Sequence, residues 1–349
     1  MNACETLISA ANAAPSGDNL QPWSFQIDLA AGTIRIAVDE TRDQSPMNAG
    51  QRMARIAVGA AVENILRATE FSGVAAELTR IDESGGCEIA IRDLENASVQ
   101  VDPVIQRRAT NRRVYEGGAV SEEVAARLRD GTHSSEGVRT VWIHDRRQIE
   151  SLAGLISRAD SLMFGNPTLR KSFLANVRFD LPADDPGSHG LSLASLELQG
   201  ADRIAFRILP RIPPWLFRLA GIARKFAVKS KRLVDSSSGL CAVIAPDNTR
   251  ATDVRVGRSF ERAWLALTGE GLAAQPLMSI AVLAGICEFG PAPLQESLRD
   301  EVSPLIESMQ SIIAGPPAGR IAALLRFGKA ADPSSRAGRL SPHITVAPH

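Results

Sequence analysis

Several things are missing from this sequence of 349 residues, and each absence excludes a class. No stretch of about 18 uncharged apolar residues occurs, so a helix spanning a bilayer, and stable membrane insertion with it, is not expected. The opening MNACETLISAANAAP lacks the basic start and continuous apolar run of a secretory signal. A cytoplasmic location with reduced thiols is the expectation. Cys4, Cys87, Cys241 and Cys287 are dispersed, with no CxxC pair and no cluster beside a histidine, which argues against structural zinc. Neither charge sign is in excess: Lys plus Arg and Asp plus Glu are 39 each, so no long-range field favours nucleic acid. G-x-G-x-x-G after a strand, a Walker loop and H-E-x-x-H are all absent. His133, His144, His189, His343 and His349 are scattered, and none is assigned a role.

What is present reads as a globular protein, 44% hydrophobic and 22% charged, with one large domain or two ordinary ones. An Ala-rich helix over Cys4 to Ala14 stops at Pro15–Asp18. WSFQIDL and TIRIAV alternate as a hairpin, and Gly50 to Ser72 makes a helix buried on most faces. Short strands flank Gly85-Gly86. SEEVAARLRD starts a helix with two acids in its first turn. VRTVWIH is a strand leading into a helix from about Arg146 to Phe164. From Pro182 to Pro214 the pattern dissolves into Asp, Pro, Gly and Ser. LCAVIAP is then a buried strand, VRVGRSFERAWLALTGEGLAAQPL a long helix running into a turn, and AALLRFG a strand. This mixed order, with no clean βαβ repeat, predicts an α+β layer structure rather than a doubly wound sheet.

Three segments carry chemistry. APSGDNLQPWSF sets Ser16, Asn19 and Gln21 between two prolines beside Trp23. Its amides offer the donors and acceptors that a flat heteroaromatic ring requires, or else they satisfy only the backbone of a helix-ending turn. Arg107-Arg108-Ala109-Thr110-Asn111-Arg112-Arg113 gathers four guanidiniums around a hydroxyl, either a phosphate cradle or a solvated basic face. From Arg203 to Arg232 every charge is positive, with apolar residues between and Pro210, Pro213 and Pro214 interrupting. That pattern fits a helix on an anionic membrane surface, a lid over an anionic cofactor, or a helix pair docked on the body; it is not assigned as a membrane anchor.

The first two segments together resemble the nitroreductase-like FMN-binding family, whose hallmarks are an R-R-S-x-R segment at the flavin phosphate and a P-S-x-x-N-x-Q-P-W turn near the isoalloxazine ring. Pro15, Ser16, Asn19, Gln21, Pro22 and Trp23 match the turn throughout. Arg108, Thr110 in place of serine, and Arg112 match the first motif, with Ala109 replacing the second arginine and an aromatic one place late at Tyr115. ERAWLALTGEGLAAQPL and GRLSP resemble the family's flavin-side helix and turn and its closing segment, with Ala337 where a lysine is common. The resemblance implies a mixed or antiparallel sheet flanked by helices. By the same resemblance, Ser16, Asn19, Gln21, Gly269, Glu270 and Gly271 lie near the ring. Arg108, Thr110 and Arg339 serve the phosphate, and Arg112 or Arg113 serves the reduced ring.

In ordinary members the arginine segment precedes the turn and the flavin lies between two subunits. Here the order is reversed, which implies two lobes imitating a dimer within one chain, as in the Acg-like branch with its R-x-T-N-R-R motif. Residues 1–105 would be a truncated lobe donating the turn. Residues 106–349 would hold FMN and carry a basic lid-like insertion at about 165–235. The implied activity is hydride transfer between NAD(P)H and a small electrophile such as a nitroarene, quinone or conjugated imine, or oxidation of a biosynthetic intermediate. The implied state is a monomer acting as an internal pseudo-dimer, or a further homodimer. The alternatives are a non-catalytic flavin-sequestering protein with a closed lid, and a degenerate scaffold without flavin, to which Ala109 and Ala337 point.

Overall fold

The computed structural model describes residues 2–132, 137–182, 185, 187–313 and 319–347. The chain opens with helix α1 (Ala3–Asn12), started by a capping box: Asn2 Oδ1 accepts from Glu5 N at 2.8 Å and Asn2 N donates to Glu5 Oε2 at 3.0 Å. Strands β1 (Trp23–Asp28) and β2 (Thr33–Val38) form the expected hairpin, followed by helix α2 (Arg52–Phe71), strands β3 (Ala76–Ile81) and β4 (Cys87–Ile91), and the short helix α3 (Pro103–Arg107). The next elements are α4 (Glu122–Asp130), β5 (Arg139–Ile143), α5 (Arg146–Gly165), α6 (Pro167–Ala175), β6 (Val177–Arg178), β7 (Leu191–Ser192), α7 (Gly200–Ile208), α8 (Pro214–Leu219) and α9 (Ile222–Asp235). The chain ends with β8 (Gly239–Ala245), α10 (Arg250–Gly269), β9 (Ala273–Pro276), α11 (Ser279–Phe289), α12 (Ala292–Ile313), β10 (Arg320–Gly328) and β11 (Ile344–Val346).

Two main sheets result. The first has the order β11-β1-β2-β4-β3 and the second β5-β8-β10-β9, while β6 and β7 form a separate parallel pair. The expected α+β class, built on one mixed and one antiparallel sheet flanked by helices, is what the chain adopts. β11 joins β1 in parallel, so the end of the chain completes the first sheet. β1 buries alternate residues. β8 is buried along its whole length because helices cover both faces of the second sheet: Leu240, Ala242 and Ile244 face α5, α11 and α12, and Cys241, Val243 and Ala245 face α10. Such a strand reads as an unbroken apolar run rather than an alternation.

The sheets are joined through α2 and α10, which cross at two glycines. A Cβ on Gly59 would stand 2.0 Å from the Val254 carbonyl oxygen, and one on Gly257 2.0 Å from the Ile56 carbonyl oxygen. Each helix therefore lays its backbone against the other's. The two helices and the segments that follow them are also alike in sequence. Arg52, Val58, Gly59, Glu63, Ala68, Gly73, Ala75 and Ala76 stand at one constant offset from Arg250, Val256, Gly257, Glu261, Ala266, Gly271, Ala273 and Ala274.

Two stretches differ from the sequence expectation. The region from Pro182 to Pro214 holds a helix, α7, which lacks a side-chain N-cap and starts on Gly200. With α6, α8 and α9 it forms a helical unit, called the insert below for its place in the sequence between β5–α5 and β8, with its own small core of Val177, Leu193, Phe206, Leu209 and Phe217. α11 and α12 fill the gap left between the long α10 segment and AALLRFG. From Ser279 to Ile286 every residue but the half-buried Ala284 is buried, so SIAVLAGI shows no polar face to read.

Candidate functional site

The turn after α1 is strained. Asp18, Asn19 and Gln21 have φ of 47°, 57° and 54°, a left-handed conformation that costs of order 1–3 kcal/mol per non-glycine residue unless the surroundings impose it. They do impose it. Ser16 Oγ accepts from Gln21 N at 2.9 Å, Gln21 Nε2 donates to the Asn19 and Ser188 carbonyls at 3.1 and 2.8 Å, and Gln21 Oε1 accepts from Leu340 N at 2.9 Å. Trp23 Nε1 donates to Asn12 Oδ1 at 3.0 Å. Arg339 reaches in from the chain end and donates to the carbonyls of Asn12, Ala13 and Ala14 and to Asn19 Oδ1, at 2.7 to 3.1 Å. It thereby satisfies the carbonyls at the C-terminal end of α1.

The arginine segment runs along the edge of the second sheet, where Asn111 N donates to the Ala274 carbonyl at 2.9 Å. Arg326 of β10 fixes it from behind, donating to the Arg113 carbonyl at 2.7 Å with its guanidinium 3.8 Å from the Tyr115 ring centroid. Burial and the neighbouring Arg112 push Arg326 down to about 10, against the pull of Tyr115. Arg108 turns inward. It donates to the Ala13 carbonyl at 2.7 Å, lies 3.0 Å from Glu261 Oε1 and sits 4.5 Å from the Trp264 ring centroid. Arg112 donates to the Ser195 carbonyl at 2.6 Å.

Turn, arginine segment and chain end converge on one cavity of about 340 Å³, within the roughly 300–1,000 Å³ of small-molecule sites. Ser16, Asn19, Arg108, Thr110, Arg112 and Arg339 line it. α2 contributes Met53, Ile56, Ala57 and Ala60, and α10 contributes Phe260 and Trp264. The insert side adds Phe164, Arg170 and Phe173.

Gln21, Arg113, Gly269, Glu270 and Gly271 lie outside the lining. Gln21 is buried beneath the turn as its brace. Arg113 faces Ser334 and Glu197, at 2.9 and 3.5 Å. Glu270 and Gly271 close α10 outside the cavity lining, and Glu270 is paired with Arg127 at 2.7 Å, which holds its carboxyl below the usual range. Gly269 is likewise outside the lining. Arg339 lines the cavity, but its donors are engaged by protein oxygens. His144, His189 and His343 are not among the lining residues, and His133 and His349 lie outside the described residues.

The cavity also holds groups with no sequence signal. Asp18 is pushed up to about 6 by burial, with Asp43 adding to the rise and the Asn176 amide and Arg112 opposing it. Asp160 is raised by burial despite hydrogen bonds from Ser230 and Ser279. Arg336, three residues before the recognised Arg339, lines the cavity and donates to the Gln106 carbonyl at 2.8 Å. Behind Arg108, burial pushes Glu261 up to about 7; Arg108 and Arg339 oppose the rise and Glu63 adds to it. Among the described residues no group of three or more His, Cys, Asp or Glu side chains could hold a metal.

One sequence relative stands out. The uncharacterized protein MT1398 of Mycobacterium tuberculosis is 29% identical over 290 residues, 80% of this chain, and the chain spans only 39% of that protein's length. No family model matches. Three solved structures align in part. The FMN-bound nitroreductase of Bacteroides fragilis does so over 66% of this chain and 87% of its own, at 12% identity and a TM-score of 0.35. The FMN-dependent nitroreductase NfnB of Mycobacterium smegmatis, in complex with NADPH, does so over 65% and 86%, at 16% and 0.35. Oxidized iodotyrosine deiodinase bound to FMN and 3-iodo-L-tyrosine does so over 68% and 94%, at 13% and 0.38. Superpositions this loose carry no weight beside the residues themselves.

Proposed function

We propose that this chain is an FMN-dependent oxidoreductase of the nitroreductase-like family, with both halves of its flavin site supplied by one polypeptide. One observation carries the reading: a strained turn from residues 15–19, an arginine segment from 108–112 and a tail from 335–339 meet at a single cavity. Strain maintained by so many hydrogen bonds marks a site where backbone geometry matters. The residues suit the group. Arg108, Arg112 and Arg336 in the lining offer the cations a phosphate requires, and Phe164, Phe173, Phe260 and Trp264 provide the apolar surface a fused ring requires.

In this assignment Arg108, Arg112 and Arg336 hold the phosphate with Thr110, because each has N–H groups beyond its hydrogen bonds to main-chain carbonyls. Arg339 acts through the turn that it braces. Ser16 and Asn19 orient the ring edge. Asp18 holds a proton at its carboxyl below about pH 6. Bound FMN supplies reversible two-electron chemistry, and the chain supplies position, a dry wall and local charge. NAD(P)H as reductant and a small nitroarene, quinone or conjugated imine as acceptor complete the proposal. The matched α2 and α10 segments support two copies in one chain, 1–105 and 106–349, the second lending β11 to the first.

A second reading has an observation of its own. The insert walls the cavity, with Arg170 3.8 Å from the Phe217 ring centroid, which suits a protein that sequesters flavin. An absorbance spectrum of the chain purified without added cofactor, followed by anaerobic NADPH and NADH, separates the two. Flavin bands bleached by either nucleotide support the oxidoreductase; bands that persist favour sequestration; no bands after FMN titration reject both. Arg112→Ala should weaken FMN binding about ten- to a hundredfold with the fold intact, the loss of a charge-assisted contact of about 1.5–3 kcal/mol.

A further inference from the structure

The insert has an outer face that the cavity does not use. α7, α8 and α9 turn Phe206, Phe217 and Ala227 inward and leave Ile204, Ile208, Trp215, Leu216, Leu219 and Val228 in solvent, Trp215 66% and Leu219 78% exposed. Of the eleven exposed large apolar side chains among the described residues, these six fall within residues 204–228. Apolar exposure is thus concentrated rather than scattered, which marks an interaction surface.

The same stretch is charged in one sense only. Nine Lys and Arg side chains and no acid lie from Arg203 to Arg232, in a chain whose 39 basic and 39 acidic residues balance. Arg203, Arg207, Arg211, Arg218, Arg224, Lys225 and Arg232 form no ion pair among the described residues, whereas Lys229 and Lys231 reach Asp202 and Asp235 at the two ends. Trp215, Leu216 and Leu219 stand between Arg211 and Arg224 on a six-residue helix bounded by Pro213-Pro214 and Gly221. A fluid headgroup layer conforms to so uneven a set of short helices, takes Trp and Leu at its acyl boundary and returns phosphate oxygens to arginine.

We propose that the outer face of α7–α9 docks peripherally on an anionic lipid bilayer, Trp215, Leu216 and Leu219 entering the headgroup–acyl boundary and the flanking cations lying on lipid phosphates. The contact is interfacial: no helix among the described residues is long and apolar enough to cross a membrane. Because Phe217 on the inner side of α8 packs on Arg170 of the cavity wall, docking holds that wall about one helix diameter, roughly 10–12 Å, from the lipid.

The full chain is floated with vesicles of phosphatidylcholine alone and of phosphatidylcholine with phosphatidylglycerol. It should rise with the anionic vesicles only, less so in high salt, with a blue shift of tryptophan emission that Trp215→Phe abolishes. Arg207→Gln and Arg211→Gln should each weaken vesicle binding about fivefold, and Trp215→Ser with Leu219→Ser should weaken it further, all with unchanged far-ultraviolet circular dichroism. Flotation with neither vesicle, equal flotation with both, or wild-type binding by these variants overturns the proposal. Saturable binding of soluble polyglutamate without vesicle binding would assign the face to an acidic protein and also overturn it.

Discussion

α2 and α10 are matched helices that do different work. Both carry a glycine at the crossing and a glutamate one turn later, yet they line the cavity unequally. α2 presents Ala57 and Ala60 to it, and α10 presents Phe260 and Trp264. The positions of α10 that match Ala57 and Ala60 are Arg255 and Arg258. Arg258 and Arg262 close on Glu63 at 3.2 and 2.7 Å, whereas Glu261 meets Arg108 of the cavity wall at 3.0 Å. One side of the crossing is thus open and lined with rings, and the other carries packed ion pairs. Side-chain volume at a few positions is enough to make that difference while the backbone frame stays common to both.

The largest test of the shared frame is at the glycines. Gly59→Ala and Gly257→Ala should each cost more than the about 1–3 kcal/mol usual for overpacking, because the new methyl meets backbone at 2.0 Å rather than a side chain that can turn aside. Urea denaturation midpoints measure it. Gly154→Ala in α5, where nothing lies within 4 Å, serves as control and should gain up to about 1 kcal/mol. Equal behaviour at the three positions would break the comparison.

A smaller effect separates the glutamates. Glu63→Ala leaves Arg258 and Arg262 without their carboxylate and should cost about 2 kcal/mol, less than a fully enclosed pair because both arginines reach water. Glu261→Gln should act mainly through pH. The Glu261 carboxyl titrates at about 7 in the folded chain against an ordinary 4.5, so between these values the folded state holds the extra proton and stability falls as pH rises. The variant should show a flatter profile across that window. A profile that keeps its slope would show that some other group causes it.

Much of the frame was legible because its signals are local. The β1–β2 hairpin alternates, α2 and α10 are long, and the Pro15–Trp23 turn is punctuated by prolines. What stayed hidden depends on tertiary context. α11 carries no periodicity because nearly all of its first eight residues are buried. The α2–α10 likeness is spread over eight positions in two distant segments, too thinly to notice before the crossing shows which residues matter. Arg339 lines the cavity, yet an arginine's place in the sequence does not reveal which oxygens it will find, and its donors meet the carbonyls at the end of α1. Asp18 and Asp160 are ordinary acids in the sequence and become unusual only when the cavity closes around them. Glu270 lay in a recognisable turn, but its partner Arg127 comes from a helix with no mark of the encounter.

The crossing glycines also set a rule for how such a molecule can diverge. Loops can lengthen and helices can be added at the periphery, since neither touches the point where the two backbones meet. Gly59 and Gly257 have no such freedom, for a side chain on either one drives apart the helices that carry both sheets. Two bare positions, one in each helix, therefore act as the pin on which both sheets are hung: the frame holds so long as they remain empty.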